Sequence, residues 1–169
     1  MTRWNKILEV DPDNLTAWVQ PGVVTGALQK EVEKIGLFYP PDPGSLNVCT
    51  IGGNVANNAG GLRGLKYGVT KNYVLGIEMI LPNGELLKTG GKNMKDVAGY
   101  NLRDFIIGSE GTLGIVTKVL LKLIPKPSQA ITLLIYFDKL VDAGKTVSDI
   151  IASHIVPSMM EFLDNTTIN

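Results

Sequence analysis

The chain holds one cysteine and one histidine in 169 residues. A lone cysteine rules out an internal disulfide framework and fits a reducing, cytoplasmic compartment. With a single histidine beside it, a protein-only zinc site is not expected. Charge is balanced, 16 Lys+Arg against 16 Asp+Glu, and no basic run interleaved with aromatics suggests a nucleic-acid partner. No apolar run has the length needed to span a bilayer, and the opening Met1-Thr2-Arg3-Trp4-Asn5 has no signal-peptide pattern. A P-loop and a GxGxxG fingerprint are both missing, so the common nucleotide folds are not supported.

Glycine is abundant instead, with 19 residues, and the segment 41–61, PDPGSLNVCTIGGNVANNAGG, concentrates five of them with four asparagines and one charge, Asp42. Such a stretch has few long side chains to pack a core. Its backbone can take positive φ and come close to a ligand, and its N–H groups can form anion-binding concavities. An ordinary Gly/Asn surface loop is the competing reading.

Along the chain, Lys6–Val10 and Thr16–Val19 read as strands around the turn cluster Asp11-Pro12-Asp13-Asn14. Thr25 is a candidate N-cap for a helix carrying Ala27, Leu28, Glu31, Val32 and Ile35 at helical spacing and stopped by Gly36. Pro40 to Gly44 must be extended and turning. A short helix over Gly53–Ala59 is expected, which sets Thr50, Ile51 and Gly52 just before its N-terminus, where free N–H groups suit a phosphate. Residues 73–89 form a hairpin, with Asn83-Gly84 as a type I′ turn. Asn101 caps a helix through Ile107, with Asp104 at its third position. Gly108 to Gly114 is a second glycine-rich turn, feeding a strand over 115–124. After the boundary Pro125-Lys126-Pro127-Ser128 come a strand over 131–137, an amphipathic helix over 139–153 and a strand from Met159. That last unit is too small to be a stable domain alone.

Several of these motifs occur in a familiar order. Cys49 to Gly61, Lys66-Tyr67-Gly68, Gly99-Tyr100-Asn101-Leu102 and Ile107 to Thr117 together resemble the FAD-linked oxidases of the vanillyl-alcohol oxidase type, in the branch of the glycolate oxidase D subunit and D-lactate dehydrogenase. The resemblance implies an α+β fold: the second subdomain of a two-subdomain FAD-binding fold, mainly antiparallel sheet flanked by helices, followed by the start of an α+β cap domain. Residues 1–127 would then be part of the FAD-binding domain, lacking its first subdomain, and 128–169 the beginning of a truncated cap. It implies FAD as cofactor, a small 2-hydroxy acid as substrate, hydride transfer to the flavin, and onward transfer of electrons to an acceptor or partner subunit, in a complex peripheral to the membrane.

Carried over by motif, Pro43, Gly44 and Ser45 run along the cofactor. Cys49, Thr50, Gly52, Gly53, Asn57 and Gly60 line its diphosphate, ribityl and flavin path, with Gly61, Tyr67 and Gly68 beside them. Glu110, Gly111, Gly114, Ile115 and Val116 meet it from the second turn. For Glu110 a carboxylate capping local N–H groups is the equal alternative. No catalytic residue transfers, and half a cradle is expected to bind FAD weakly or not at all. A split subunit that completes its site with a partner is the second reading, and an exposed apolar face would favour self-association. Cys49 reads as a space-filling thiol and His154 as a helix-end surface residue. Asn165-Thr166-Thr167 is discounted as a glycosylation acceptor without a signal peptide.

Overall fold

The first hairpin is closed by a side chain. Asp11 accepts from Asn14 twice, from the backbone N–H at 3.0 Å and from Nδ2 at 2.8 Å, an Asx turn that fixes the connection between β1 (Ile7–Asp11) and β2 (Thr16–Val19). In the computed structural model, which describes residues 3–168, this hairpin is one edge of a five-stranded sheet. The other members are β4 (Val74–Ile80), β5 (Leu86–Gly90) and β6 (Ile115–Lys122), in the order β1-β2-β6-β4-β5. Every neighbouring pair is antiparallel. Two further residue pairs, β3 (Leu37–Phe38) and β7 (Ile124–Pro125), form a small antiparallel ladder. The long strand expected over 115–124 therefore breaks at Leu123, whose N–H turns to Leu15 O at 2.7 Å.

One face of the sheet supplies the core. Ala17, Val19, Ile77, Met79, Val119 and Leu121 pack in one cluster with Leu28 and Val32 of α1 (Thr25–Glu33) and Ile51 and Val55 of α2 (Ile51–Asn57). Each of these Val, Leu, Ile and Met side chains removed from water contributes about 1.5–3 kcal/mol. That matters most for α2, whose seven residues are too few to be helical alone. Short helices α3 (Gly64–Tyr67) and α4 (Leu102–Ile106) follow. Asn101 caps α4 as expected, accepting from the Asp104 N–H at 3.3 Å. The result is the α+β arrangement anticipated, an antiparallel sheet flanked by helices.

Local details depart from the sequence reading for physical reasons. Thr25 is the first helical residue, not the cap; Val24 holds that place, and the Thr25 side chain turns inward. The helix ends before Ile35, which is exposed, as is Ala27. The turn at 82–84 is not type I′. Pro82 has no N–H to return across a two-residue hairpin, so Leu81 pairs with Glu85 instead, with Leu81 N to Glu85 O and Gly84 N to Leu81 O both at 2.9 Å. Gly84 takes φ +85° as the left-handed third residue of the loop. The strands expected over 131–137 and from Met159 are not formed. No described segment lies alongside to complete a ladder, and Ile131, Leu133, Leu134 and Tyr136 remain exposed. The helix between them, α5 (Leu140–Ala152), is present, and α6 (Asn165–Ile168) follows. His154 ends the α5 turn at φ +61° on the surface, as read from the sequence.

On the hairpin, Lys92 reaches Asp11 at 2.6 Å and Glu9 at 2.8 Å. Hydrogen bonds from Lys92 and then Asn14 hold the Asp11 carboxyl well below its usual range. A carboxylate with a depressed folded pKa stabilises the fold above the ordinary value of about 3.9, and that contribution is lost only as pH falls through the depressed value. The Asp11 carboxyl-carbon NMR shift is therefore expected to stay that of the ion through pH 4 and below. Lys92→Met is expected to return its midpoint toward the ordinary range.

Candidate functional site

Thr50 begins the site by capping α2. It is extended at φ −111°, and its hydroxyl accepts the Gly53 N–H at 3.3 Å. The helix starts at Ile51, two residues earlier than expected, because Ile51 and Gly52 donate to a neighbouring segment: Ile51 N to Val23 O and Gly52 N to Pro21 O, both 2.8 Å. The Asn54 N–H goes to Thr50 O at 2.9 Å. All four leading N–H groups of α2 are thus satisfied by protein. The phosphate seat expected at this N-terminus is ruled out, and the dipole there points at polypeptide.

The other end of α2 carries the organising contact. Its last carbonyls need donor partners, and the second glycine turn supplies them: Gly108 N donates to Val55 O at 2.9 Å and Glu110 N to Ala56 O at 2.8 Å. Gly108, Glu110 and Gly111 take φ of +85°, +52° and +76°, the left-handed turns that aim these amides at α2. Glu110 acts structurally through its backbone. Its carboxylate is exposed and makes no hydrogen bond with the described residues, so the carboxylate-cap alternative does not hold. Asn58, left-handed at φ +48°, ends α2 and accepts the Lys71 N–H at 3.0 Å. Thr70 donates both its N–H (3.0 Å) and its hydroxyl (2.7 Å) to Ala59 O. Three stretches distant in sequence, 50–61, 67–72 and 108–114, are bonded into one surface.

None of the residues assigned from the sequence is buried in it. Gly44, Ser45, Gly53, Asn57, Gly61, Glu110, Gly111 and Ile115 are exposed; Pro43, Cys49, Thr50, Gly52, Gly60, Tyr67, Gly68, Gly114 and Val116 are partly covered. The glycines divide by cause. A Cβ on Gly52 would lie 2.6 Å from Pro21 Cβ, and one on Gly114 2.5 Å from Ile80 O. On Gly61 and Gly68 it would run into Asp42 and Asn72. Those four are glycine because protein packs against them. Gly44 and Gly111 have nothing within 4 Å of the same position. The backbone N–H groups of Gly44, Ser45, Gly60, Gly61 and Gly111 have no acceptor among the described residues. An open surface with free amides and no side chains in the way is a cradle for an oxygen-rich anion.

Polar side chains outside the glycines also hold the surface together. Thr25, fully buried, accepts from Asn54 Nδ2 at 2.8 Å and from Cys49 Sγ at 3.3 Å, joining α1 to α2. Cys49 is accordingly a donor in a packing contact, as read from its type. Gln29 donates Nε2 to both Tyr39 O and Pro41 O at 2.9 Å. Asp42 binds Arg63. The available signal was positional: Thr25 and Gln29 share the inward face of α1 with Leu28 and Val32. Tyr39 and Tyr73 meet edge-to-face at 6.0 Å. Burial pushes both phenols up, Tyr39 far beyond its usual range, with Thr70 opposing. The Tyr39 hydroxyl is buried and has no hydrogen-bond partner among the described residues. Both tyrosines stay neutral and serve packing. A cleft of about 230 Å³ between Lys71, Leu75, Met94, Arg103 and Lys122 includes no residue of either glycine stretch.

The FAD binding domain family matches residues 1–90. The chain belongs to that family. Its cofactor is FAD, and the open amides around 44–45, 60–61 and 111 fit a dinucleotide's oxygen-rich backbone. The chain is 57% identical over 164 residues to the glycolate oxidase subunit GlcD of Bacillus subtilis, covering 97% of this chain and 35% of the relative. It is 44% identical over 168 residues to a D-lactate dehydrogenase of Anaerostipes hadrus, covering 99% and 35%. Among solved structures, an alkyldihydroxyacetonephosphate synthase aligns at TM-score 0.80 and 30% identity, over 94% of this chain and 28% of that one. The chain spans about a third of the length of the curated relatives it matches. Among the described residues no helix is long and apolar enough to cross a membrane.

Proposed function

We propose that this FAD binding domain forms one wall of the flavin site of an oxidoreductase acting on a small 2-hydroxy acid of the glycolate or D-lactate type. The observation that carries it is the pair of backbone bonds from Gly108 and Glu110 to the end of α2, which merges the two glycine stretches into one surface with free donors. When bound, FAD supplies the hydride acceptor. The chain's own contribution is binding and orientation: Gly44, Ser45, Gly60 and Gly61 offer amides from one side, and Gly111 with the backbone of 114–116 from the other. No residue here is assigned to the chemistry of the substrate. In this reading 1–127 is the FAD-binding part and 128–169 the start of a substrate-side cap, which accords with the exposure of nearly all the described side chains beyond Lys126. The substrate class rests on similarity to the two relatives named. The apolar side chains exposed along 131–137 are why a partner subunit or second copy stands as the second reading.

The donors lie on an open face, so a ligand there keeps much of its contact with water and repays little of its lost freedom. Fluorescence titration of the chain with FAD is expected to saturate with a Kd well above about 1 μM, which corresponds to roughly −8 kcal/mol. A Kd below that value would show that the wall is not half a site. A linear, unsaturable response would show that it is no site at all.

A further inference from the structure

We propose that Asp42 is a positioning residue for this surface: it staples the turn at 43–46 to the turn at 60–63 and so sets the spacing between two groups of free N–H donors. The inference rests on the FAD reading above, but concerns a residue outside the donor set. Asp42 meets the second turn in three ways. Its Oδ1 accepts the Arg63 backbone N–H at 3.1 Å, its Oδ2 meets Arg63 Nε at 3.2 Å, and its main-chain carbonyl occupies the place a Gly61 Cβ would need.

The Asp42 side chain is 12% exposed and that of Arg63 35%. A charge-assisted bond so largely withdrawn from water is worth more than a pair on the open surface. The two sides of the staple are anchored separately. Gln29 pins the chain at Tyr39 and Pro41 from α1, and Leu46 N closes the first turn on Pro43 O at 2.8 Å. Arg63 lies over the Phe38 ring at 5.0 Å, and Gly64 N closes the second turn on Gly61 O at 3.0 Å. Among the described residues no other hydrogen bond joins 39–46 to 59–66. Gly44 and Ser45 therefore keep their distance from Gly60 and Gly61 through Asp42. Two donor groups at a fixed spacing bind a ligand with two oxygen-rich centres without a further ordering cost.

The test uses the labelled chain and two variants. Amide shifts of Gly44, Ser45, Gly60 and Gly61 are followed during titration with FAD, and amide hydrogen exchange is measured without it. For Asp42→Ala, exchange at the Arg63 amide is expected to rise and FAD affinity to fall, each by about tenfold, with exchange in β6 unchanged. Asp42→Asn keeps an oxygen for the Arg63 N–H and is expected to restore both to within about threefold. Unchanged Arg63 exchange in Asp42→Ala would overturn the staple, and a loosened turn with unaltered FAD affinity would overturn its role in positioning. Wild-type amides that do not move with FAD would refute the cofactor reading instead, while the exchange measurement still decides whether Asp42 holds the two turns.

Discussion

Gly114→Ala is expected to lower stability by about 2–3 kcal/mol, the upper part of the usual range for overpacking. The added methyl would lie 2.5 Å from the Ile80 carbonyl oxygen and 2.5 Å from Met79 Cε. Neither neighbour yields cheaply: Ile80 is committed to the β4–β6 ladder opposite Ile115, and Met79 is 1% exposed in the core. The start of β6 must therefore peel from β4. The second glycine turn precedes it directly and carries the bonds to Val55 and Ala56, so the surface around α2 is expected to loosen with it. A shift of roughly 5–10 °C in the thermal midpoint is the corresponding readout. Gly44→Ala is the control. Open space surrounds that position and its φ is not left-handed, so stability is expected to change by less than about 0.5 kcal/mol. Equal destabilisation of the two variants would mean that packing does not distinguish these glycines.

That contrast shows what the sequence could and could not reveal. The glycine stretches announce themselves by composition, and their joint order with Tyr67-Gly68 and the 107–117 run identifies the family. Composition does not say why each glycine is there. Gly68 answers to Asn72 four residues on, whereas Gly52, Gly61 and Gly114 answer to Pro21, Asp42 and Ile80, residues that become neighbours only in the fold. The same limit explains the misplaced phosphate seat. The sequence sets Thr50, Ile51 and Gly52 just ahead of a helix, but the carbonyls of Pro21 and Val23 that consume the amides of Ile51 and Gly52 come from a segment whose approach no local pattern encodes. Conversely, Ile131–Phe137 has every local mark of a strand and forms none, because a strand is completed by a neighbour and not by its own composition. Periodicity picks out Leu28 and Val32 of α1 but also Ala27, Glu31 and Ile35, which are exposed, and it carries no signal for Gln29, a polar residue on the buried face.

Gln29→Glu is expected to cost about 3 kcal/mol or more at pH 7 although it changes almost no volume. The Gln29 side chain is 6% exposed, and its amide donates at 2.9 Å to both Tyr39 O and Pro41 O. A carboxylate in its place has no proton to give and sets negative oxygen against two carbonyl oxygens. Each orphaned carbonyl costs about 1–3 kcal/mol, and the buried charge adds to it. Protonation relieves part of this by restoring one donor, so the folded pKa of the new carboxyl must rise above its unfolded value of about 4.3. The sign of the pH dependence follows. The folded state then binds the proton more tightly, so the destabilisation is smallest below the unfolded pKa and grows as pH rises through the folded one. Gln29→Leu removes both bonds without adding charge and is expected to cost about 2 kcal/mol with no pH dependence. Urea midpoints for the three proteins at pH 4 and pH 7 decide the matter: a Glu variant no weaker at pH 7 than at pH 4 would mean that Gln29 does not face these carbonyls. Because Pro41 leads straight into Asp42 and the 43–46 turn, both variants are also expected to weaken FAD binding while leaving the bonds between α2 and the 108–110 turn in place.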